Sequence, residues 1–183
     1  MSRWGSLLRR GWHERRRLCF YGREPVPETA PDDRIAVYRS WADVPAAFRR
    51  VVAPAPLLSA PVWRLRRGRA QLLCLSVDGR TLAAYGWLQD WRSFRRRFGA
   101  LAPDGTMLGP YWTAPAERGR GLYGRLLARS LALCPPNRPA LIYAAPENAA
   151  SRRGIVKAGF RPLGEWEWHC WLGVFSRFRR IPA

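Results

Sequence analysis

The stretch from Thr106 to Leu133 constrains the fold more than any other part of the chain. An apolar run with strand character, Thr106 to Thr113, leads into Arg118-Gly119-Arg120-Gly121-Leu122-Tyr123-Gly124-Arg125. Helix periodicity then runs from Leu122 to Leu133 and stops at Pro135-Pro136. Glycines at a strand-to-helix junction let backbone N–H groups converge without Cβ obstruction, and the helix adds its own unsatisfied N–H groups and the positive end of its dipole. Such a junction is a cradle for a pyrophosphate. Arg118, Arg120 and Arg125 stand close enough in sequence to meet further phosphate charge. No Lys-Ser/Thr pair follows, which excludes a P-loop, and a leading hairpin with one cradle is not the βαβ setting of a dinucleotide fingerprint.

The flanking elements set the fold class. Ala70 to Val77 and Thr81 to Leu88 are apolar strands around Asp78-Gly79, a tight hairpin signal. Ile35 to Arg39 is a short strand, and a helix capped by Ser40 or Asp43 is predicted to reach Val52, with Pro45 in its first turn. Residues 53 to 62, with three prolines, read as loop with room for one short helix, and residues 89 to 105 as an Arg-rich connection. Leu141 to Ala145 is a buried strand, Asn148 to Ala158 a helix, and Phe160 to Phe175 one or two final strands. Strands alternating with helices after a leading hairpin predict an α/β mixed sheet.

Residues 1 to 24 read as a separate piece. Trp4, Leu7, Leu8 and Trp12 fall on one helical face, with Arg3, Arg9, Arg10, His13 and Arg16 largely around the other. This is the pattern of a basic amphipathic helix, which either lies on an anionic membrane surface or docks on the domain's own core. Residues 25 to 33, with three prolines, are a linker, and the domain proper is expected over 34 to 183, ending in a short basic tail.

The formal net charge is +19, from 32 Lys plus Arg against 13 Asp plus Glu. Of those 32 cations only Lys157 is not Arg, a bias that coding composition explains as well as binding does. The charge is spread along the chain, so it predicts attraction to polyanions without predicting nucleic acid as a partner. Hydrophobic residues make up 48% of the chain, enough for a real core and against a disordered tail. No apolar run approaches the roughly 18 to 20 residues of a membrane span. The charged N-terminus does not look like a secretory signal. Cys19, Cys74, Cys134 and Cys170 lack metal-site or redox spacing, which predicts four reduced thiols, no metal and a cytoplasmic protein.

A second constellation follows the cradle: Glu147-Asn148-Ala149-Ala150-Ser151, then Lys157-Ala158-Gly159-Phe160. A strand ending in Thr113-Ala114-Pro115, then Arg-Gly-x-Gly-Leu, a helix, a strand, Asn-x-x-Ser and Lys-x-Gly-Phe resembles the GNAT superfamily of acyl-CoA N-acyltransferases over roughly residues 34 to 175. The resemblance implies a bent, mostly antiparallel sheet flanked by helices, with a V-shaped opening between the Thr106–Thr113 and Leu141–Ala145 strands. It implies acetyl-CoA, or a close acyl-CoA, as donor. By position, the backbone of Tyr111, Trp112 and Thr113 would bond the pantetheine arm, and the Tyr111 amide would polarise the thioester carbonyl. Arg118, Gly119, Arg120, Gly121, Leu122, Tyr123 and Gly124 would hold the pyrophosphate, and Asn148 and Ser151 match family positions near the pantetheine.

The chain departs from the family pattern in three places. Tyr123 stands where Gly or Ala is usual. Ile155 stands where many members carry a Tyr acid, and Met107 where several place a Glu base. A substitute base is sought in Glu165, Glu167 and His169, which alternate with Trp166, Trp168 and Cys170 and would share one strand face. There His169 would take the amine's proton and the two carboxylates would steer a cation; a solvated polar face is the alternative. Tyr85 and Tyr143 are alternative hydroxyls. Trp63, Trp87, Trp91 and Trp112 either line an acceptor pocket or pack the core.

The resulting expectation is an N-acetyltransferase acting by direct attack of a primary amine on acetyl-CoA, with an amino sugar or cell-surface precursor as acceptor. A protein or small polyamine acceptor is one alternative. The other is a degenerate acyl-CoA-binding domain that senses or scaffolds. Residues 1–24 would bring the cytoplasmic protein to the inner face of the membrane.

Overall fold

A computed structural model describes residues 13–25, 32–171 and 175–182. Its strands are β1 (His13–Arg23), β2 (Ile35–Tyr38), β3 (Ala70–Ser76), β4 (Leu82–Asp90), β5 (Thr106–Thr113), β6 (Ala140–Ala144), β7 (Arg161–Trp171) and β8 (Phe175–Arg180). Its α-helices are α1 (Ala46–Val52), α2 (Ala60–Arg66), α3 (Arg95–Phe98), α4 (Leu122–Ala132) and α5 (Ala149–Lys157). The eight strands form one sheet in the order β2-β3-β4-β5-β6-β1-β7-β8. All neighbours are antiparallel except β5 and β6, which run parallel. The mixed, mostly antiparallel sheet flanked by helices is the architecture expected from the motif order.

The parallel pair explains the opening. β5 and β6 are in register only at Thr106↔Ala140 and Met107↔Leu141, and then part. Beyond Met107, β5 stays paired with β4 as far as Ala84↔Thr113, while its other edge meets no strand among the described residues. A shift between Gly86 and Leu88 leaves Gly109 and Pro110 as a bulge in β5. The Gln89 side chain holds that bulge by donating to the Gly109 carbonyl.

The N-terminal expectation is corrected. His13–Arg23 is not part of a helix beside the domain but a strand between β6 and β7. Leu18, Cys19, Phe20 and Tyr21 are all buried, with Phe20 at 0% exposure. Cys19 and Tyr21 join the core under α4 and α5, whereas Leu18 and Phe20 join the aromatic core on the opposite face. A strand apolar on both faces is an interior strand, and its continuous apolar run carries no period to separate it from a helix. Trp4, Leu7, Leu8 and Trp12, which carry the amphipathic pattern, lie outside the described residues. The domain therefore does not begin at residue 34, and the basic C-terminal stretch is β8, paired with β7. Asp32, expected in a linker, is tied to α4 by the Arg125 guanidinium, whose Nε lies 2.6 Å from Oδ2.

Other expectations shift by a few residues. α1 begins after Pro45 and has no side-chain cap; the Ser40 hydroxyl instead accepts from the Ala42 amide. The region after Val52 holds a full helix, α2, as well as a short turn. The Asp78 carboxylate closes the β3–β4 turn by accepting from the Arg80 and Thr81 amides at 2.9 and 2.6 Å. All four cysteines are buried and unlinked. Among the described residues no helix is long and apolar enough to cross a membrane.

Candidate active site

The parting of β5 and β6 opens a cleft of about 1160 Å³. Its walls are the free edge of β5, the end of β6, the β1 stretch Arg15–Leu18 and the turn before α4. The cradle sits at one end. Gly119 and Gly121 adopt φ of +80° and +75°, a conformation costly for other residues. A Cβ built on Gly119, Gly121 or Gly124 would meet nothing within 4 Å, so these backbones border open space. α4 has Gly121 as N-cap and no side-chain cap. Its first intrahelical bond runs from the Arg125 amide to the Gly121 carbonyl, which leaves the amides of Leu122, Tyr123 and Gly124 without a partner inside the helix. This eleven-residue helix therefore turns an uncapped start, with the positive end of its dipole, toward the cleft.

The arginines around the cradle divide their duties. Arg118 lines the cleft. Arg120 is held by Glu117 at 3.0 Å, and Arg125 is paired with Asp32, so both of these heads are engaged by carboxylates. Hydrogen bonding from Arg125 holds the Asp32 carboxyl below its ordinary range.

Tyr123 and Tyr111 floor the cleft, with ring centroids 5.3 Å apart and edge to face. The Tyr111 hydroxyl donates to the fully buried Ser130 at 2.8 Å, and its ring occupies the space a Cβ on Gly86 would need. The Tyr123 hydroxyl is 3.1 Å from Ser151 Oγ, on the first turn of α5. Burial raises the pKa of both phenols. Asn148 is the N-cap of α5, its Oδ1 accepting from the Ser151 amide at 3.0 Å. The structure thus brings Tyr111, Trp112, Thr113, Arg118, Gly119, Gly121, Leu122, Tyr123, Asn148 and Ser151 to one cleft.

It does not bring the Glu-x-Glu-x-His ladder there. Glu165, Glu167 and His169 share a face of β7, as expected, but β1 lies between them and the cleft. Glu165 accepts from Cys19 Sγ at 3.6 Å. Glu167 accepts from Arg15 Nε at 2.6 Å and lies 2.9 Å from His169 Nε2, and these two contacts hold its carboxyl below the usual range. The carboxylates expected to steer an amine are engaged by β1 and His169.

Ile155 and Met107 are 0% and 1% exposed, so neither family position presents a group to the cleft. Trp87 and Trp91 are core residues, Trp63 is surface, and Trp112 alone of the four borders the cleft, stacked on Tyr85 at 5.6 Å. Sequence reasoning missed Gln89 and Arg64. Gln89 is 3% exposed and accepts from Arg64 Nη1 at 2.7 Å while holding the bulge. The sequence offered little signal, since Gln89 directly follows the apolar run that ends at Leu88. Among the described residues no cluster could hold a metal ion.

No protein-family model matches the chain, and no curated protein does. Solved structures do. A GNAT-family protein from Novosphingobium aromaticivorans superposes with a TM-score of 0.60 at 20% identity, over 92% of this chain and 66% of its own. A GCN5-related N-acetyltransferase from Sphaerobacter thermophilus gives 0.54 at 15%, over 92% and 56%. A GNAT acetyltransferase from Colwellia psychrerythraea gives 0.51 at 17%, over 87% and 57%. The chain spans less than two thirds of the length of each of these relatives, and it has the GNAT fold.

Proposed function

We propose that the protein transfers an acetyl group from acetyl-CoA to a primary amine by direct attack. One observation carries the reading: the strand-free edge of β5 runs along a cleft that ends at the uncapped, Cβ-free start of α4. An extended pantetheine fits such an edge as an added strand, and a pyrophosphate fits the helix start. The open space beside Gly119, Gly121 and Gly124 supports the fit.

Acetyl-CoA supplies an acyl group already activated as a thioester. The chain's own residues bind and orient. Tyr111–Thr113 line up the donor, and the Tyr111 amide polarises its carbonyl. The amides at the start of α4, with Arg118, hold the pyrophosphate. Holding amine and thioester together supplies most of the rate, because an intramolecular geometry replaces a bimolecular encounter. Tyr123, whose proton is retained at neutral pH, offers a hydroxyl on the cleft floor for the departing thiolate. The acceptor enters where Tyr143 and the β1 arginines border the mouth, and an amino sugar is the acceptor class we favour.

Calorimetry with acetyl-CoA, followed by CoA release over a panel of amines, tests the reading. Wild type should bind, and Gly121→Asp, which puts a negative charge against the phosphates, should bind at least about 100-fold more weakly while folded. No binding by wild type removes the reading. Binding with no turnover on any amine, and no CoA-dependent product in lysate by mass spectrometry, favours an acyl-CoA sensor, which the buried Ile155 and Met107 keep in view.

A further inference from the structure

The bulge in β5 reverses the edge that its later amides face. Before it, the Thr106 amide donates to the Pro139 carbonyl at 2.9 Å, toward β6. After it, the Ala114 amide donates to the Ala83 carbonyl at 2.8 Å, toward β4. Successive residues of a strand turn their amides to alternate edges, so Thr106 and Ala114, an even number of positions apart, would face the same way in an unbroken strand. The extra residue at Gly109-Pro110, opposite Trp87, changes the count by one. Tyr111 and Thr113 therefore present their N–H groups to the cleft. In an unbroken register the Tyr111 amide would face β4 instead.

One buried side chain fixes this bulge. Gln89 Nε2 donates to the carbonyl of Gly109, whose φ of +100° is one that glycine adopts readily. Its Oε1 accepts from Arg64 Nη1 at 2.7 Å. A guanidinium only donates and a carbonyl only accepts, so Arg64 on one side and Gly109 on the other leave the Gln89 amide a single orientation. Arg64 comes from α2, and its guanidinium lies over the Phe94 ring at 4.5 Å, which holds the head in place. Beyond the bulge, the Tyr111 ring fills the space over Gly86 and its hydroxyl donates to Ser130 at 2.8 Å. The backbone from Gly109 to Tyr111 is thus anchored at both ends. Neither Gln89 nor Arg64 borders the cleft itself.

We infer that Gln89, oriented by Arg64, is a positioning residue for acyl transfer: it pins the bulge that keeps the Tyr111 amide aimed at the thioester carbonyl. The inference rests on the acyl-transfer reading of the cleft. Negative charge grows on the carbonyl oxygen as the amine attacks, and a donor already aimed at that oxygen needs no reorganisation at that moment. A slip of β5 by one residue would remove the bulge and turn the Tyr111 amide back to β4. The Gln89 bond opposes the slip, because slipping would leave the Gly109 carbonyl and a buried amide without partners. Gln89 therefore acts on turnover more than on donor affinity, to which the start of α4 contributes separately.

Gln89→Glu tests this directly. The carboxylate keeps the shape and the acceptor for Arg64, but it meets the Gly109 carbonyl with an oxygen in place of a donor. By calorimetry the variant should bind acetyl-CoA within about threefold of wild type, while kcat for CoA release falls about 10- to 100-fold, as for a misplaced oxyanion donor. Infrared difference spectra of bound acetyl-CoA, isotope-labelled at the thioester carbonyl, give a readout independent of turnover. The carbonyl stretch should lie below its solution value in wild type and move back toward it in Gln89→Glu. Arg64→Met, which frees the Gln89 amide to turn over, should move kcat and the band in the same directions, and it carries the test if Gln89→Glu does not fold. Arg66→Met, at an exposed position of α2, controls for lost charge and should leave both unchanged. An unmoved carbonyl band in the acetyl-CoA-loaded variant overturns the inference and leaves the acyl-transfer reading standing. Failure of the wild type to bind acetyl-CoA removes the premise instead.

Discussion

The ring of Tyr123 on α4 lies 2.7 Å from where a Cβ on Gly154 of α5 would stand. The bulky ring, which stands where the resemblance led one to expect Gly or Ala, is thus received by a glycine on the neighbouring helix. Gly154→Ala gains helix propensity, about 1 kcal/mol, but overpacks the contact, at about 1–3 kcal/mol. Urea denaturation should show a net loss for Gly154→Ala alone. In a Tyr123→Ala background the same change should become stabilising. A single mutant as stable as that double-mutant comparison implies would mean the ring does not fill this space.

Phe20 tests the assignment of β1. Its side chain is fully buried against Phe98, Tyr143 and Trp166. Phe20→Ala should cost about 3–5 kcal/mol in chemical denaturation, the range for a large core truncation. A cost under about 0.5 kcal/mol, the usual size for a surface change, would return this stretch to a peripheral role.

Asp32 and Arg125 give a pH signature. The Asp32 carboxyl titrates below its ordinary value because Arg125 donates to it. A depressed carboxylate contributes stability that is full above its unfolded pKa, about 3.9, and is lost as pH falls through the folded value. Asp32→Asn should lower Tm at neutral pH by roughly 2–4 °C, taking about 1 kcal/mol for a partly exposed pair. The gap between mutant and wild type should close below about pH 4. A constant gap down to strongly acidic pH would rule out this carboxylate as the source.

His169 is set apart from the cleft by β1 and paired with Glu167. If it were the acceptor-side base, His169→Gln would lower kcat by about 10²- to 10⁴-fold. Its placement predicts kcat within roughly twofold of wild type, far from that general-base range. Steady-state kinetics across the acid limb of the pH profile decides between them.

The cradle and the two strands beside the cleft were legible because each depends on short-range chemistry, whereas the parting of those strands was expected only from the resemblance to the GNAT superfamily. Gly119 and Gly121 take positive φ for reasons internal to one turn, and Asn148 caps the helix that its own sequence begins. The ladder on β7 was legible as a strand face through its period of two. Its duty was not legible, because that depends on which strand lies beside it. Arg15 reaches Glu167 across 152 positions of sequence, and Arg125 reaches Asp32 across 93. Spacing along the chain carries no record of such pairs.

What the sequence by itself determined is therefore local: the hairpin at Asp78-Gly79, the glycine turn into α4, the cap of α5 and the motif order that goes with the GNAT fold. What only the tertiary structure decided is the destination of each free edge and charge. Leu18–Tyr21 is a run that helix and interior strand share, and β1 became a strand because the edges of β6 and β7 needed a partner with two apolar faces. Arg15 meets Glu167 and Arg125 meets Asp32 only once β1 and α4 are packed into the sheet. Local geometry is fixed by steric and hydrogen-bond rules over a few residues, whereas the pairing of strand edges and of distant charges depends on how the whole sheet closes.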